Sequence, residues 1–185
     1  MAAPVPLSYP DPPLTEGEIG LRPWREEDLG VIAALCRDPD VARFTRVPDP
    51  YTDADARAWM DGLPTGLAEG AAVRLAIVAG GGEPVGSIGL RIDPFDRDIA
   101  EVGYMVAAAA RGRGVATTAL RLASRWGLGG LGVARVQLST HVDNPASQRV
   151  AQRAGFRREG VLRSWEEVRG ARVDLVMFSL VASDL

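Results

Sequence analysis

Three short apolar runs occupy the middle of the chain, at residues 73–79, 84–92 and 99–106. Each has the length of a strand and is bounded by turn residues. Gly80-Gly81-Gly82-Glu83 reads as a hairpin turn between the first two, and Asp96-Arg97-Asp98 marks the turn before the third. Past residue 113 the spacing becomes helical: Val115, Ala119, Leu122, Ala123 and Trp126 share a face over residues 114–126, with Arg121 and Arg125 elsewhere. Four glycines within residues 127–132 suit a helix end and a tight return. A period of two then sets in, with Ala134, Val136 and Leu138 alternating with Arg135, Gln137 and Ser139, as in a half-buried strand. Another helix begins at Asn144 and ends at Gly155-Phe156, and strands over residues 157–162 and 172–180 finish the chain.

The first third is less regular. Residues 1–17 are proline-rich and read as a flexible or loosely docked tail, leaving residues 18–185 as one domain. A short strand over residues 19–22 ends at Pro23. Leu29, Ile32, Ala33 and Cys36 mark a helix over residues 28–36, and Arg46-Val47-Pro48-Asp49-Pro50 must be a loop. Thr52 or Asp53 caps a second helix running to about Asp61. The order is strand, two helices, three strands, helix, strand, helix, two strands, which predicts a mixed α/β domain.

Composition narrows the chemistry. The chain has 185 residues, 46% hydrophobic and 24% charged, as expected of one globular domain. Its net charge of −3 argues against nucleic-acid binding. No apolar run reaches membrane-spanning length and residues 1–13 lack a secretion signal pattern, so no membrane is expected and a cytoplasmic location is. Cys36 and His141 are each the sole residue of their kind, which excludes internal disulfides, thiolate zinc clusters and two-histidine metal sites; no metal is expected. All 21 basic residues are arginine, which excludes lysine Schiff bases and a Walker-type phosphate lysine.

Arg111-Gly112-Arg113-Gly114-Val115-Ala116-Thr117 joins a predicted strand to the amphipathic helix. Glycines at 112 and 114 allow a sharp turn with its N–H groups aimed into one concavity, and the helix start adds unpaired donors. Each donor to a charged phosphate contributes about 1.5–3 kcal/mol, so several outweigh the dipole's roughly 0.3–2. Arg111 and Arg113 add forked charge. Thr117 stands where a dinucleotide fingerprint needs a third glycine. Taken alone, the glycine pair is equally a plain strand-to-helix loop. Downstream, Asn144 is a good N-cap and Pro145 a good first helical residue, and both Asn144 and Ser147 are able to face a ligand.

Arg111-x-x-Gly114-x-Ala116 resembles the acyl-CoA pyrophosphate motif of the GNAT acetyltransferase superfamily. The stretch from Asn144 through Ser147 to Ala154-Gly155-Phe156 is similar to that superfamily's next helix in its Rim-type ribosomal-protein N-acetyltransferases. Leu21-Arg22-Pro23-Trp24 with Glu27-Asp28, Ala100-Glu101-Val102-Gly103-Tyr104, and Glu159-Gly160-Val161-Leu162-Arg163 with Gly170 and Asp174 match the same subgroup. These pieces follow in order over about residues 19–181.

The resemblance implies a mixed α/β (α+β) fold: a mostly antiparallel central sheet with two splayed parallel strands, flanked by helices. Acyl-CoA is then expected between the strands at residues 99–106 and 133–139, its pantetheine on the backbone at Met105 and Val106. Its pyrophosphate falls on Arg111, Gly112, Arg113, Gly114, Val115, Ala116 and Thr117, with Asn144 on the pantetheine arm. Glu101 is the expected base, its pKa raised by burial, although pairing with an arginine is the competing reading. Ala151 stands where many members carry a tyrosine acid, so Ser147 is expected to protonate the leaving sulfur. A backbone N–H near Val106 would polarise the carbonyl.

Trp165, Glu166 and Glu167 are expected in a loop bordering the acceptor, with Tyr51 and the rest of residues 44–51 on the opposite wall. His141, at a strand end near the site, is expected to pack or lie at the surface, with a part in proton transfer as the competing reading, and Cys36 to sit in the core. The implied activity is direct transfer of an acetyl group from acetyl-CoA to a primary amine, either a protein N-terminus or a small molecule. Succinyl-CoA or another acyl donor, a noncatalytic acyl-CoA sensor and a nucleotide-binding regulator are the alternatives. A homodimer is compatible with the sequence.

Overall fold

The computed structural model describes residues 5–185. Its strands are β1 (Leu14–Glu16), β2 (Ile19–Pro23), β3 (Ala72–Ala79), β4 (Pro84–Ile92), β5 (Ile99–Val106), β6 (Arg135–His141), β7 (Arg157–Val168) and β8 (Ala171–Val181). Its helices are α1 (Leu29–Cys36), α2 (Pro39–Phe44), α3 (Asp53–Asp61), α4 (Leu63–Ala68), α5 (Val115–Gly129) and α6 (Pro145–Arg153). The strands form one sheet in the order β1-β2-β3-β4-β5-β6-β8-β7. Only β5 and β6 pair in parallel among the described residues.

The period of two on the central strands divides the core. Leu75, Ile77, Ile88, Leu90 and Val102 turn to one face, where Ala119, Leu120 and Ala123 of α5 cover them. Ala76 turns to the other, among Ile32 of α1, Ala56 and Met60 of α3, and Trp24. Thr52 caps α3: its Oγ1 accepts from the Asp55 N–H at 3.2 Å, and Asp55 accepts from the Thr52 N–H at 2.8 Å. The feature that positions the site is the β5–β6 pairing. It covers Ile99–Arg135, Ala100–Val136 and Glu101–Gln137 and then stops, while β4 stays paired with β5 as far as Val106. The two parallel strands therefore splay beyond Glu101, as the resemblance implies.

Several elements differ from the sequence expectation. The first four residues of the expected tail lie outside the described residues. The remainder is docked: Leu7 N–H bonds to the Leu67 carbonyl at 2.9 Å, and Leu14–Glu16 forms the edge strand β1. Leu7, Tyr9 and Leu14 pack on the core, and Glu16 is ion-paired with Arg121 of α5. Helix α2 starts on the cap Asp38, whose side chain accepts from the Asp40 N–H at 2.8 Å, with Pro39 in the first turn. Helix α4 forms despite Pro64 and Gly66 because Pro64 stands in the first turn and Leu63 is buried. The expected loop at Trp165–Glu167 is a continuation of β7. A bulge between Leu162 and Glu166, with Ser164 at φ 51°, restores pairing of Glu166 with Val173, and the chain turns only at Arg169-Gly170. No helix among the described residues is long and apolar enough to cross a membrane.

Candidate active site

A cleft of about 750 Å³ opens where β5 and β6 diverge. It gathers Glu101, Met105 and Val106 from β5 with Arg111, Gly112, Gly114, Val115, Ala116 and Thr117 at the head of α5. Asn144 and Ser147 at the start of α6, and Glu166 on β7, also line it. Arg113, Tyr51 and Trp165 are not among its lining residues.

The head of α5 is built for an anion. Gly112 and Gly114 have φ of 76° and 81°, the left-handed region that glycine enters freely. No side chain caps the helix, and the first N–H returned to the turn is Thr118 to the Gly114 carbonyl at 3.0 Å. Among the described residues, the N–H groups of residues 112–117 have no protein acceptor. A Cβ at Gly112 or Gly114 would meet no protein atom within 4 Å, so the space beside the turn is open.

The two flanking arginines behave differently. Arg113 is exposed and makes no ion pair among the described residues. Arg111, expected to add charge to the turn, is tied into the protein: it bonds Asp38 at 2.6 Å, Asp40 at 2.7 Å and the Val106 carbonyl at 3.0 Å. It therefore ties α2 and the end of β5 to the glycine turn. The Val106 carbonyl keeps a second lone pair.

Glu101 makes the arginine pairing that was its competing reading. It is half-buried rather than buried, and its Oε2 is ion-paired with Arg91 across the β4–β5 ladder, while Oε1 accepts from Ser139 Oγ at 3.2 Å. Arg91 stands directly opposite Glu101 in register, and opposite residues share a face, so the pairing follows from the hairpin.

At the start of α6, the Asn144 side-chain oxygen accepts from the Ser147 N–H at 3.0 Å, which is the helix-cap role. Ser147 Oγ lies 2.9 Å from the hydroxyl of Tyr104, a residue to which sequence reasoning gave no role. Burial pushes the Tyr104 pKa up to about 12, so the ring carries its proton at neutral pH. The signal for Tyr104 was parity: it shares a strand face with Val102 and Val106, opposite Glu101. His141 lines the cleft, and its Nδ1 accepts from the Asp143 N–H at 3.0 Å.

The expected acceptor walls are partly corrected. Tyr51 is buried with Cys36 in the core formed by α1 and α3. Trp165 is 59% exposed on the outer face of the long hairpin. Glu166 does line the cleft and is ion-paired with Arg46. A second hollow of about 340 Å³ adjoins the cleft, with Trp59, Arg74 and Gly89 in its wall, and shares Glu101 and Gly103 with it.

The model of the Acetyltransferase (GNAT) domain matches residues 18–157. The uncharacterized N-acetyltransferase p20 of Bacillus licheniformis is 28% identical over 163 residues, 87% of this chain and 91% of that protein. The solved structure of Mycobacterium smegmatis RimJ in complex with CoA-disulfide superposes with a TM-score of 0.83 at 24% identity, covering 94% of this chain and 87% of that one. The microcin C7 self-immunity acetyltransferase MccE, in complex with acetyl-CoA and AMP, superposes with a TM-score of 0.80 at 24% identity, covering 90% and 93%. The family model spans most of the chain, and its domain includes both the splayed strands and the uncapped helix: this protein belongs to the GNAT acetyltransferase family.

Proposed function

We propose that residues 18–185 act as one acyltransferase domain that moves an acetyl group from acetyl-CoA directly to a primary amine within a ternary complex. One observation carries the reading. Among the described residues, the N–H groups of residues 112–117 lack protein acceptors at the head of a 15-residue helix, beside the gap between β5 and β6. That donor set fits a diphosphate. Arg113 adds charge to it, and the edge of β5 that faces β6 beyond Glu101, unpaired among the described residues, bonds the pantetheine arm. The complex of MccE with acetyl-CoA supports the same donor.

The remaining groups divide the proton work. Glu101, held by Arg91 and Ser139, takes the proton that an ammonium acceptor must lose before its lone pair attacks. A backbone N–H near Val106 polarises the thioester carbonyl. Ser147 Oγ gives its proton to the departing sulfur, and Tyr104, bonded to that oxygen, steadies its orientation. The acceptor is a protein N-terminus or a small amine. The test is thiol release from acetyl-CoA across a peptide and amine library, with products identified by mass spectrometry. N-acetylated products with equimolar free CoA are expected, and binding of CoA without thiol release would overturn the reading.

A further inference from the structure

The hollow beside the donor cleft has a composition that selects an acceptor. On β3, β4 and β5 the register sets Arg74 opposite Gly89 and Gly89 opposite Gly103. One cross-strand row thus carries a guanidinium followed by two glycines, all on one face. The rows on either side are filled, by Ala72, Arg91 and Glu101 and by Ala76, Ser87 and Met105. Two absent side chains between filled rows leave a trough. A Cβ at Gly103 would meet nothing within 4 Å, whereas one at Gly89 would press on Arg74 Cγ at 3.2 Å, so the arginine stem lies over Gly89. The trough is continuous with the donor cleft, because Gly103 and Glu101 line both.

Three charged side chains line this hollow: Arg74, Arg91 and Glu101. Arg91 and Glu101 neutralise each other as an ion pair. Arg74 is left over. It is half-buried, and among the described residues its guanidinium has neither a salt-bridge partner nor a hydrogen-bond acceptor. Its Cζ stands 5.8 Å from the ring centroid of Trp59, which Trp24 braces edge-on at 5.6 Å. A guanidinium drawn partly out of water with its donors unused is completed by an oxyanion, which its planar fork can grip with two bonds. Burial, and then the nearby Arg91 charge, push the Arg74 pKa down, a direction that an arriving anion reverses.

We infer that the acceptor is a primary amine that also carries an oxyanion, with its nitrogen over Gly103 at Glu101 and its anionic group on Arg74. The inference rests on the acyltransferase reading above. Neighbouring strands lie about 4.8 Å apart, so β3 and β5 are separated by roughly 10 Å, which the arginine stem and an amino-acid-sized acceptor bridge together. A polycation is the wrong partner for a hollow with one uncompensated positive charge. An amino carboxylate, an aminoalkyl phosphate and a peptide beginning with Asp or Glu share the required chemistry.

The experiment measures kcat/KM by thiol release for matched pairs: 4-aminobutyrate against its amide, 2-aminoethyl phosphate against ethanolamine, and Glu-Ala-Ala against Gln-Ala-Ala, both as C-terminal amides. Spermidine is the cationic control. At least one anionic member should exceed its neutral partner by about 10- to 100-fold, the range of a charged hydrogen bond. The pair that responds identifies the source of the oxyanion. Arg74→Gln should erase that ratio while CoA affinity and thermal midpoint stay at wild-type values, and Arg74→Lys should restore part of it. Equal rates within every pair, preference for spermidine, or an equal loss for neutral and anionic acceptors in Arg74→Gln would overturn the inference and leave the acyltransferase reading intact. Thiol release with none of the amines would overturn both.

Discussion

The hydroxyl of Tyr104 stands 2.9 Å from Ser147 Oγ, joining the central sheet to the first turn of α6 across the gap between β5 and β6. If Ser147 is the proton donor, Ser147→Ala should lower kcat by about 100-fold, the lower end for general acid–base catalysis. CoA affinity by calorimetry should stay within a few-fold. Tyr104→Phe should cost less, about 3- to 10-fold, and should add little on top of Ser147→Ala, because the tyrosine acts through the serine. Additive losses in the double variant would separate the two roles.

Glu101 and its partner make a second pair of variants. Glu101→Gln should reduce kcat by about 100-fold or more, through loss of the base. Arg91→Gln removes only the ion pair and leaves the carboxylate, so it should keep most of kcat. Steady-state rates with a common amine decide the matter: equal losses in both would make the glutamate a structural partner of the arginine.

The two arginines of the glycine turn should part company. Arg111 holds Asp38, Asp40 and the Val106 carbonyl, so Arg111→Ala should lower the thermal midpoint by about 2–8 °C, as loss of roughly 1–2 kcal/mol does in a chain of this size. Arg113 touches none of these, and Arg113→Ala should leave the midpoint alone while weakening CoA binding by about 10-fold. Thermal melts and CoA titrations on both variants give the comparison.

Gly114→Ala tests the backbone directly. With φ at 81° and open space around a Cβ, the substitution meets no clash, and its folding cost is the left-handed conformation, about 1–2 kcal/mol. CoA binding should fall much further than stability, because the cradle of N–H groups depends on that turn.

Acid stability should report Asp28. This carboxylate is 3% exposed and takes both Arg22 nitrogens, at 2.6 and 2.9 Å, and the Arg25 N–H at 2.8 Å. Burial alone would raise its pKa, but these hydrogen bonds hold it below the ordinary value. A pKa lower in the folded state contributes stability above the unfolded value of about 3.9 and loses it as pH falls through the folded one. Asp28→Asn should therefore cost about 3–5 kcal/mol at pH 7, where it strands Arg22. The gap to wild type should narrow below pH 4. Glu159 acts in the same sense: hydrogen bonds from Arg135 and then Ser179 hold it at about 2. Urea melts at pH 7 and pH 3 measure both.

The elements that position the site were legible because their patterns are local. Helix α5 has its apolar stripe, β6 its alternation, and residues 111–117 their two glycines. What escaped depends on partners distant in sequence. Strand β1 is three residues of no strong pattern, fixed by pairing with β2 and by the Glu16–Arg121 bridge. Glu101 stood between a free base and an arginine's partner, and only the hairpin identifies that arginine as Arg91, although a turn centred on Asp96 already implies the register. Arg111 looked free because its two acids lie on and before α2, more than seventy residues upstream. Tyr51 looked like a loop aromatic because nothing local says that it packs into the core with Cys36. Arg74 was invisible for the same reason, since its isolation is a property of three strands together.

The short parallel pairing gives the sheet a mechanical weakness. Five strands on one side and three on the other are stitched along that line by only three registered residue pairs. A ligand bonded along the free edge of β5 would act as a surrogate ninth strand and close the seam. Coenzyme A should therefore slow hydrogen exchange at residues 102–106 and stiffen the whole molecule, so that loading with donor prepares a rigid floor before any acceptor arrives.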